Sequence, residues 1–79
     1  MSSMKKENLK EYKVLSKNLI DLRTANGYTQ ADVAEKLKIT YQSYQAYERG
    51  VSVPTLQNFI KLADFYDVSL DYLVGRTEL

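Results

Sequence analysis

Gln42 and Gln45, with Tyr41 and Ser43 beside them, set amide and hydroxyl groups at a spacing that brings them to one side of a helix. A carboxamide offers a donor and an acceptor side by side. That pair matches the major-groove edge of adenine, and a good bidentate match is worth about 1–3 kcal/mol of discrimination between bases. Gln42 is the strongest base-reading candidate, with Gln45 next. Tyr41 adds a ring able to pack on a thymine methyl, or a hydroxyl within reach of a phosphate, while Ala46 offers only a methyl contact. Other chemistry is poorly served. The chain has no His and no Cys, so it lacks the usual general base, the commonest zinc ligand, thiolates and disulfides. There is no Gly-rich phosphate loop, no distinctive Asp/Glu spacing, and no candidate base for any Ser. The expectation is a protein that is not an enzyme, with no catalytic residue, metal or cofactor.

The elements that must position these side chains follow from the stretch Thr29–Gly50, TQADVAEKLKITYQSYQAYERG. Thr29 is a good N-cap, and Asp32 three residues on suggests a capping box. Ala31, Ala34 and Leu37 are the expected buried side of this helix, with Ala34 small enough for a close helix crossing. Lys38-Ile39 forms a turn with Ile39 plugging the gap, and Thr40 caps the next helix, which Gly50 ends. Two short helices with a polar second face form a helix-turn-helix, the arrangement that presents a recognition helix to the DNA major groove.

Around this pair, Leu15, Leu19 and Leu22 give a preceding helix its apolar period, with Tyr12 and Ile20 beside them and Asn26-Gly27 at its end. Pro54-Thr55 opens a fourth helix whose expected apolar stripe is Leu56, Phe59, Ile60, Leu62, Ala63 and Tyr66. Ser69 caps a last short helix that Gly75 stops. The pattern predicts five helices, with no strand of period two and no internal repeat. Tyr44 and Tyr47 are expected in the core, and Tyr66 and Tyr72 at its edge or on a pairing surface. A single-strand stacking platform is disfavoured, because no basic residue flanks Tyr66 or Tyr72.

The 79 residues suit one domain, too small for a deep core. The expected organisation is a polar extension over residues 1–11, the domain over 12–75 and a short tail over 76–79, with no separate effector domain expected. The net charge of +1 conceals an asymmetry. Residues 1–49 carry nine Lys/Arg against six Asp/Glu, a balance of +3, and residues 50–79 carry two against four, a balance of −2. A local basic face is expected, to which Lys10, Lys13, Lys17, Lys36 and Lys38 add long-range attraction. Neither a signal peptide nor a membrane-spanning run is visible, so a cytoplasmic location is expected.

Several ordered elements carry a resemblance: Leu22-Arg23 ahead of Gly27, Thr29-Gln30, Ala34, Glu48-Arg49-Gly50, Pro54-Thr55 and Val68-Ser69-Leu70-Asp71-Tyr72-Leu73. Together they resemble the Cro/repressor-type (XRE-like) helix-turn-helix family, similar to the phage lambda and 434 repressors. The resemblance implies an all-α, compact five-helix lambda-repressor-like DNA-binding domain. It implies a sequence-specific regulator of transcription, commonly a repressor, that binds a near-palindromic operator on double-stranded DNA as a homodimer.

Residue by residue, the resemblance implies that Gln30 bonds a phosphate and braces the first residue of the recognition helix. It implies a structural ion pair between Arg23 and Glu48, and a backbone contact from Arg49, which also suits the helix dipole. Ser43, Ser52 and Thr55 are further candidates for phosphate bonds. Lys38 stands where the family often has Gly, which predicts a left-handed residue in the turn. Leu70, Tyr72, Leu73 and Val74 are the candidate dimer surface. Asp67 and Asp71 would repel across such a pair, so pairing only on DNA is one expectation. The alternative reading is an adaptor or antitoxin-type domain that acts through a protein partner.

Overall fold

The computed structural model describes the backbone of residues 2–76 and the side chains of residues 11–76. The expectations placed on Met1, on residues 77–79 and on the side chain of Lys10 lie outside the described residues. Five helices follow in order: α1 Ser2–Ala25, α2 Gln30–Leu37, α3 Tyr41–Arg49, α4 Leu56–Tyr66 and α5 Leu70–Leu73. Among the described residues there is no strand. The helical backbone of α1 thus begins well ahead of the apolar period of Leu15, Leu19 and Leu22.

Each start after the first rests on the hydroxyl that the sequence offers. Thr29 accepts from the Asp32 amide at 3.0 Å, and the Asp32 carboxylate takes the Thr29 amide at 2.9 Å, completing the capping box. Thr40 accepts from Ser43 N at 3.1 Å, Thr55 from Asn58 N at 3.2 Å and Ser69 from Tyr72 N at 2.9 Å. The helix ends share a second device, a left-handed residue followed by an amide that bonds back to the last turn. Gly50 does this for α3, with Val51 N reaching Ala46 O at 3.2 Å. Lys38 (φ 58°) and Asp67 (φ 57°) do it for α2 and α4 without glycine. Ile39 N and Val68 N close these two turns onto Ala34 O and Ala63 O, each at 3.0 Å.

A side chain in that conformation costs about 1–2 kcal/mol, partly offset by the entropy glycine adds to the unfolded chain. Lys38→Gly is therefore expected to leave stability unchanged or raise it by up to about 1 kcal/mol. Chemical denaturation checks this, and clear destabilisation would contradict it.

The core gathers one side of every helix: Leu15 and Leu19 of α1, Val33, Ala34 and Leu37 of α2, Tyr44 and Tyr47 of α3, Leu62, Ala63 and Tyr66 of α4, and Leu73 of α5. Ile39 packs against it from the turn. Two expectations need correcting. Ala31 is exposed and Val33 holds its place, because the buried arc of α2 runs through 33, 34 and 37 and leaves 31 well round the helix. The α4 stripe is narrower than expected. Its arc is centred on 59, 62, 63 and 66, which leaves Leu56 68% and Ile60 43% exposed, and Ile20 of α1 is also exposed.

The short α5 is held to α1 by contacts that no periodicity signals. Asn18 Nδ2 donates to Tyr72 O at 3.0 Å and Leu73 O at 3.1 Å, serving the carbonyls at the end of α5. Gly75 lies so close to Val14 that a Cβ there would meet Val14 Cγ1 at 2.7 Å. Lys61 Nζ of α4 donates to Leu37 O at the end of α2, at 3.3 Å.

Candidate nucleic-acid interface

Helix α3 divides cleanly. Tyr44, Tyr47 and Glu48 are buried, while Tyr41, Gln42 and Arg49 are exposed and Ser43, Gln45 and Ala46 are half-buried. Two tyrosines on the inner face hold the helix against the core by apolar area and by their hydroxyls. Tyr44 Oη lies 3.3 Å from Tyr66 Oη, and Tyr47 Oη accepts from Asn58 Nδ2 at 3.1 Å. Burial pushes the Tyr44 hydroxyl far above its ordinary pKa, so it stays neutral.

Glu48 is the third inward residue, and it anchors the site. Arg23 of α1 meets it with a two-pronged pair, Nε to Oε2 at 2.6 Å and Nη2 to Oε1 at 3.0 Å. The remaining prong, Nη1, donates to Tyr28 O at 3.0 Å. The Glu48 side chain is only 3% exposed and that of Arg23 17%. Burial works to raise the Glu48 pKa, but hydrogen bonds from Arg23, Tyr44 and Gln30, with the charge of Arg23, outweigh it and leave the carboxyl below its ordinary value. Ser16 of α1 also donates to the Glu48 backbone carbonyl. Among the described residues no buried side-chain polar atom lacks a partner, as a stable buried network requires.

From Glu48 the network runs outward. Gln30, the first residue of α2, falls on the arc of 33, 34 and 37, so its side chain turns inward. Its Nε2 donates to Glu48 Oε1 at 2.9 Å, and its Oε1 accepts from Tyr41 Oη at 3.3 Å. Tyr41 Oη in turn accepts from Gln45 Nε2 at 3.3 Å. A chain of contacts thus joins the Arg23–Glu48 pair to the polar face of α3. Three helices contribute to it.

The other candidates lie around this face. Thr55 is exposed at the start of α4, and accepting from Asn58 N leaves its hydroxyl proton available. Ser43 accepts from Thr40 Oγ1 at 2.8 Å and keeps its own proton. Ser52 is half-buried in the connection between α3 and α4. Arg49 lines a shallow depression with Lys13, Ser16, Lys17, Ile20, Asp21 and Gly50. Lys17 is paired with Asp21 at 2.8 Å, an exposed i,i+4 contact of small worth.

On the expected dimer surface, Tyr72 is 41% exposed and Leu70 and Val74 are half-buried, but Leu73 is fully buried. Leu73 therefore belongs to the monomer core and offers a partner no side-chain surface. The fold leaves four apolar side chains outside: Leu56 and Ile60, expected in the stripe of α4 and turned out by its rotation, and Val51 and Val53 of the connection between α3 and α4, to which the sequence pattern assigns no place. The contact of Gln30 with Tyr41, the first residue of α3, is the brace that the resemblance implies, while its continuation to Gln45 is not among the expectations. The pairing of a Tyr at the start of α3 with a Gln one turn later is the only sequence trace of it.

The family model for the helix-turn-helix matches residues 19–73. The cryptic phage CTXphi transcriptional repressor RstR of Vibrio cholerae is 39% identical over 62 residues, which cover 78% of this chain and 55% of the relative. The transcriptional regulator ImmR of Bacillus subtilis is 42% identical over 65 residues, covering 82% of this chain and 51% of the relative. The regulator AnsR of the same bacterium is 34% identical over 58 residues, covering 73% and 50%. The chain spans about half the length of these curated relatives.

Proposed function

The chain belongs to the helix-turn-helix family, and on that premise we propose that it binds double-stranded DNA sequence-specifically and regulates transcription, in the first instance as a repressor. The observation that carries this reading is the polar row Tyr41, Gln42 and Gln45 on the outer face of α3, with Tyr41 and Gln45 tied through Gln30 to the buried Arg23–Glu48 pair. Gln42, Gln45, Tyr41 and Ala46 face the bases. The first-turn amides of α2 at Gln30, together with Ser43, Arg49, Ser52 and Thr55, hold the phosphates and set the register. The names of RstR, a repressor, and ImmR, a regulator, agree with this. No helix among the described residues is long and apolar enough to cross a membrane, and cytoplasmic action fits a DNA partner.

Chemical-shift mapping with duplex DNA tests the interface. Amides of Gln30–Ala31, Tyr41–Ala46, Arg49 and Ser52–Thr55 are expected to move, with those of mid-α1 unmoved. Shifts centred elsewhere would contradict the assignment.

Two copies would place their α3 helices about 34 Å apart in successive major grooves. To the exposed parts of Leu70, Tyr72 and Val74, and to Leu56 and Ile60 among the exposed apolar side chains, we assign the role of holding them together. Asp67 and Asp71 are exposed and repel between copies, which suits a pair formed on DNA. Ile60→Lys is expected to abolish cooperative occupancy of two half-sites. The added positive charge should, if anything, strengthen attraction to the DNA backbone. Cooperativity retained in a two-half-site binding titration would remove Ile60 from the pairing surface.

A further inference from the structure

We propose that Tyr41 is a positioning residue, whose hydroxyl presets the amide of Gln45 for one base. The inference rests on the DNA-reading role of α3 and adds how that reading is made selective.

Which groups can donate fixes the direction of each bond in the chain. The Glu48 carboxylate only accepts, so the Gln30 group that meets it at 2.9 Å is the NH2, and Gln30 Oε1 points the other way. That oxygen only accepts, so the single proton of Tyr41 Oη goes to it. The phenol oxygen is left with lone pairs alone and accepts a hydrogen bond from Gln45 Nε2. The polarity of the ionised Glu48 is handed outward, bond by bond, to an amide whose two ends are otherwise interchangeable. Gln45 then keeps Oε1 and one N–H for an outside partner. Oε1 accepts from adenine N6 and the N–H donates to adenine N7. The Tyr41 hydroxyl, with its proton and a lone pair used inside the protein, acts on sequence choice through Gln45 and not through a base.

Tyr41→Phe keeps the ring and removes only the link. Tyr41 is 43% exposed, so the variant is expected to fold. Binding of the wild type, Tyr41→Phe, Gln45→Ala and the double variant is measured on a bound duplex and its single base-pair variants. Tyr41→Phe is expected to reduce discrimination about threefold to tenfold at one base pair. That base pair should be the one that Gln45→Ala also flattens, and the double variant should be no worse there than Gln45→Ala. A uniform loss across all duplexes, or a change at a different base pair, overturns the proposal. A DNA-free measurement separates it from the functional reading. Nitrogen-15 relaxation of the Gln45 side-chain amide should show restricted motion in the wild type and release in Tyr41→Phe. Equal mobility in both overturns the brace even if DNA is read. Failure of the wild type to select any duplex overturns the DNA reading itself, whatever the relaxation shows.

Discussion

Glu48→Ala is expected to destabilise the domain by about 3–5 kcal/mol, because it leaves the Arg23 guanidinium largely buried without its charge partner. In a chain of this size that lowers the melting temperature by roughly 12 °C or more. It removes a large part of a total stability on the order of 4–12 kcal/mol. DNA binding should fall with it, and further than the folded fraction does. Gln30 loses the acceptor that orients it, and Tyr41 loses the oriented Gln30. Replacing both partners by apolar residues, as in Arg23→Met with Glu48→Leu, should recover part of the stability and little of the affinity. That split would separate holding the fold from aligning the recognition helix.

The same group predicts how stability responds to acid. The folded Glu48 carboxyl lies below its ordinary value of 4.5, so the unfolded chain takes up a proton more readily than the folded one. The stabilisation is complete above that ordinary value and is lost as pH falls through the lowered folded value. Glu48→Gln should flatten the acid limb of a stability–pH curve measured by chemical denaturation. An acid limb unchanged by the substitution would mean that other carboxylates dominate it.

The other large effect should leave the fold untouched. Changing both Gln42 and Gln45 to Ala removes polar side chains from the outer face of α3, where substitutions usually change stability by no more than about 0.5 kcal/mol. At about 1–3 kcal/mol for each bidentate contact, specific affinity should fall by roughly 30-fold to more than 10⁴-fold. Non-specific binding at low salt should persist, since Arg49, Ser52, Thr55 and the first turn of α2 are unaltered. A melting temperature that drops along with affinity would mean that these side chains pack rather than read. Unchanged specificity would move base recognition elsewhere.

Much of this was legible in the residues because the signals were local. Thr29, Thr40, Thr55 and Ser69 cap helices by bonding amides within one turn, so type and spacing sufficed to place them. Lys38 was legible as a left-handed residue because it ends a helix where glycine is usual. Asp67, in the same conformation, carried no such contrast. The ion pair of Arg23 and Glu48 spans two distant helices and came from the family resemblance rather than from spacing. What could not be read depended on helix rotation and depth. Ala31 and Val33 differ only in where a short arc falls, and Leu73 and Tyr72 only in which side of a four-residue helix faces α1. The step from Gln30 to the first residue of α3 came from the resemblance, whereas the step from Tyr41 on to Gln45 depends on how the side chains meet in space, and a Tyr one turn ahead of a Gln is its only trace in the chain.

The decisive measurement is selection of bound duplexes from a random DNA pool, at about physiological salt where non-specific attraction is weakened. Enrichment of a two-fold symmetric site with half-sites about one helical turn apart is expected. An unenriched pool, from protein shown to be folded by its melting transition, would contradict sequence-specific DNA binding and turn attention to a protein partner.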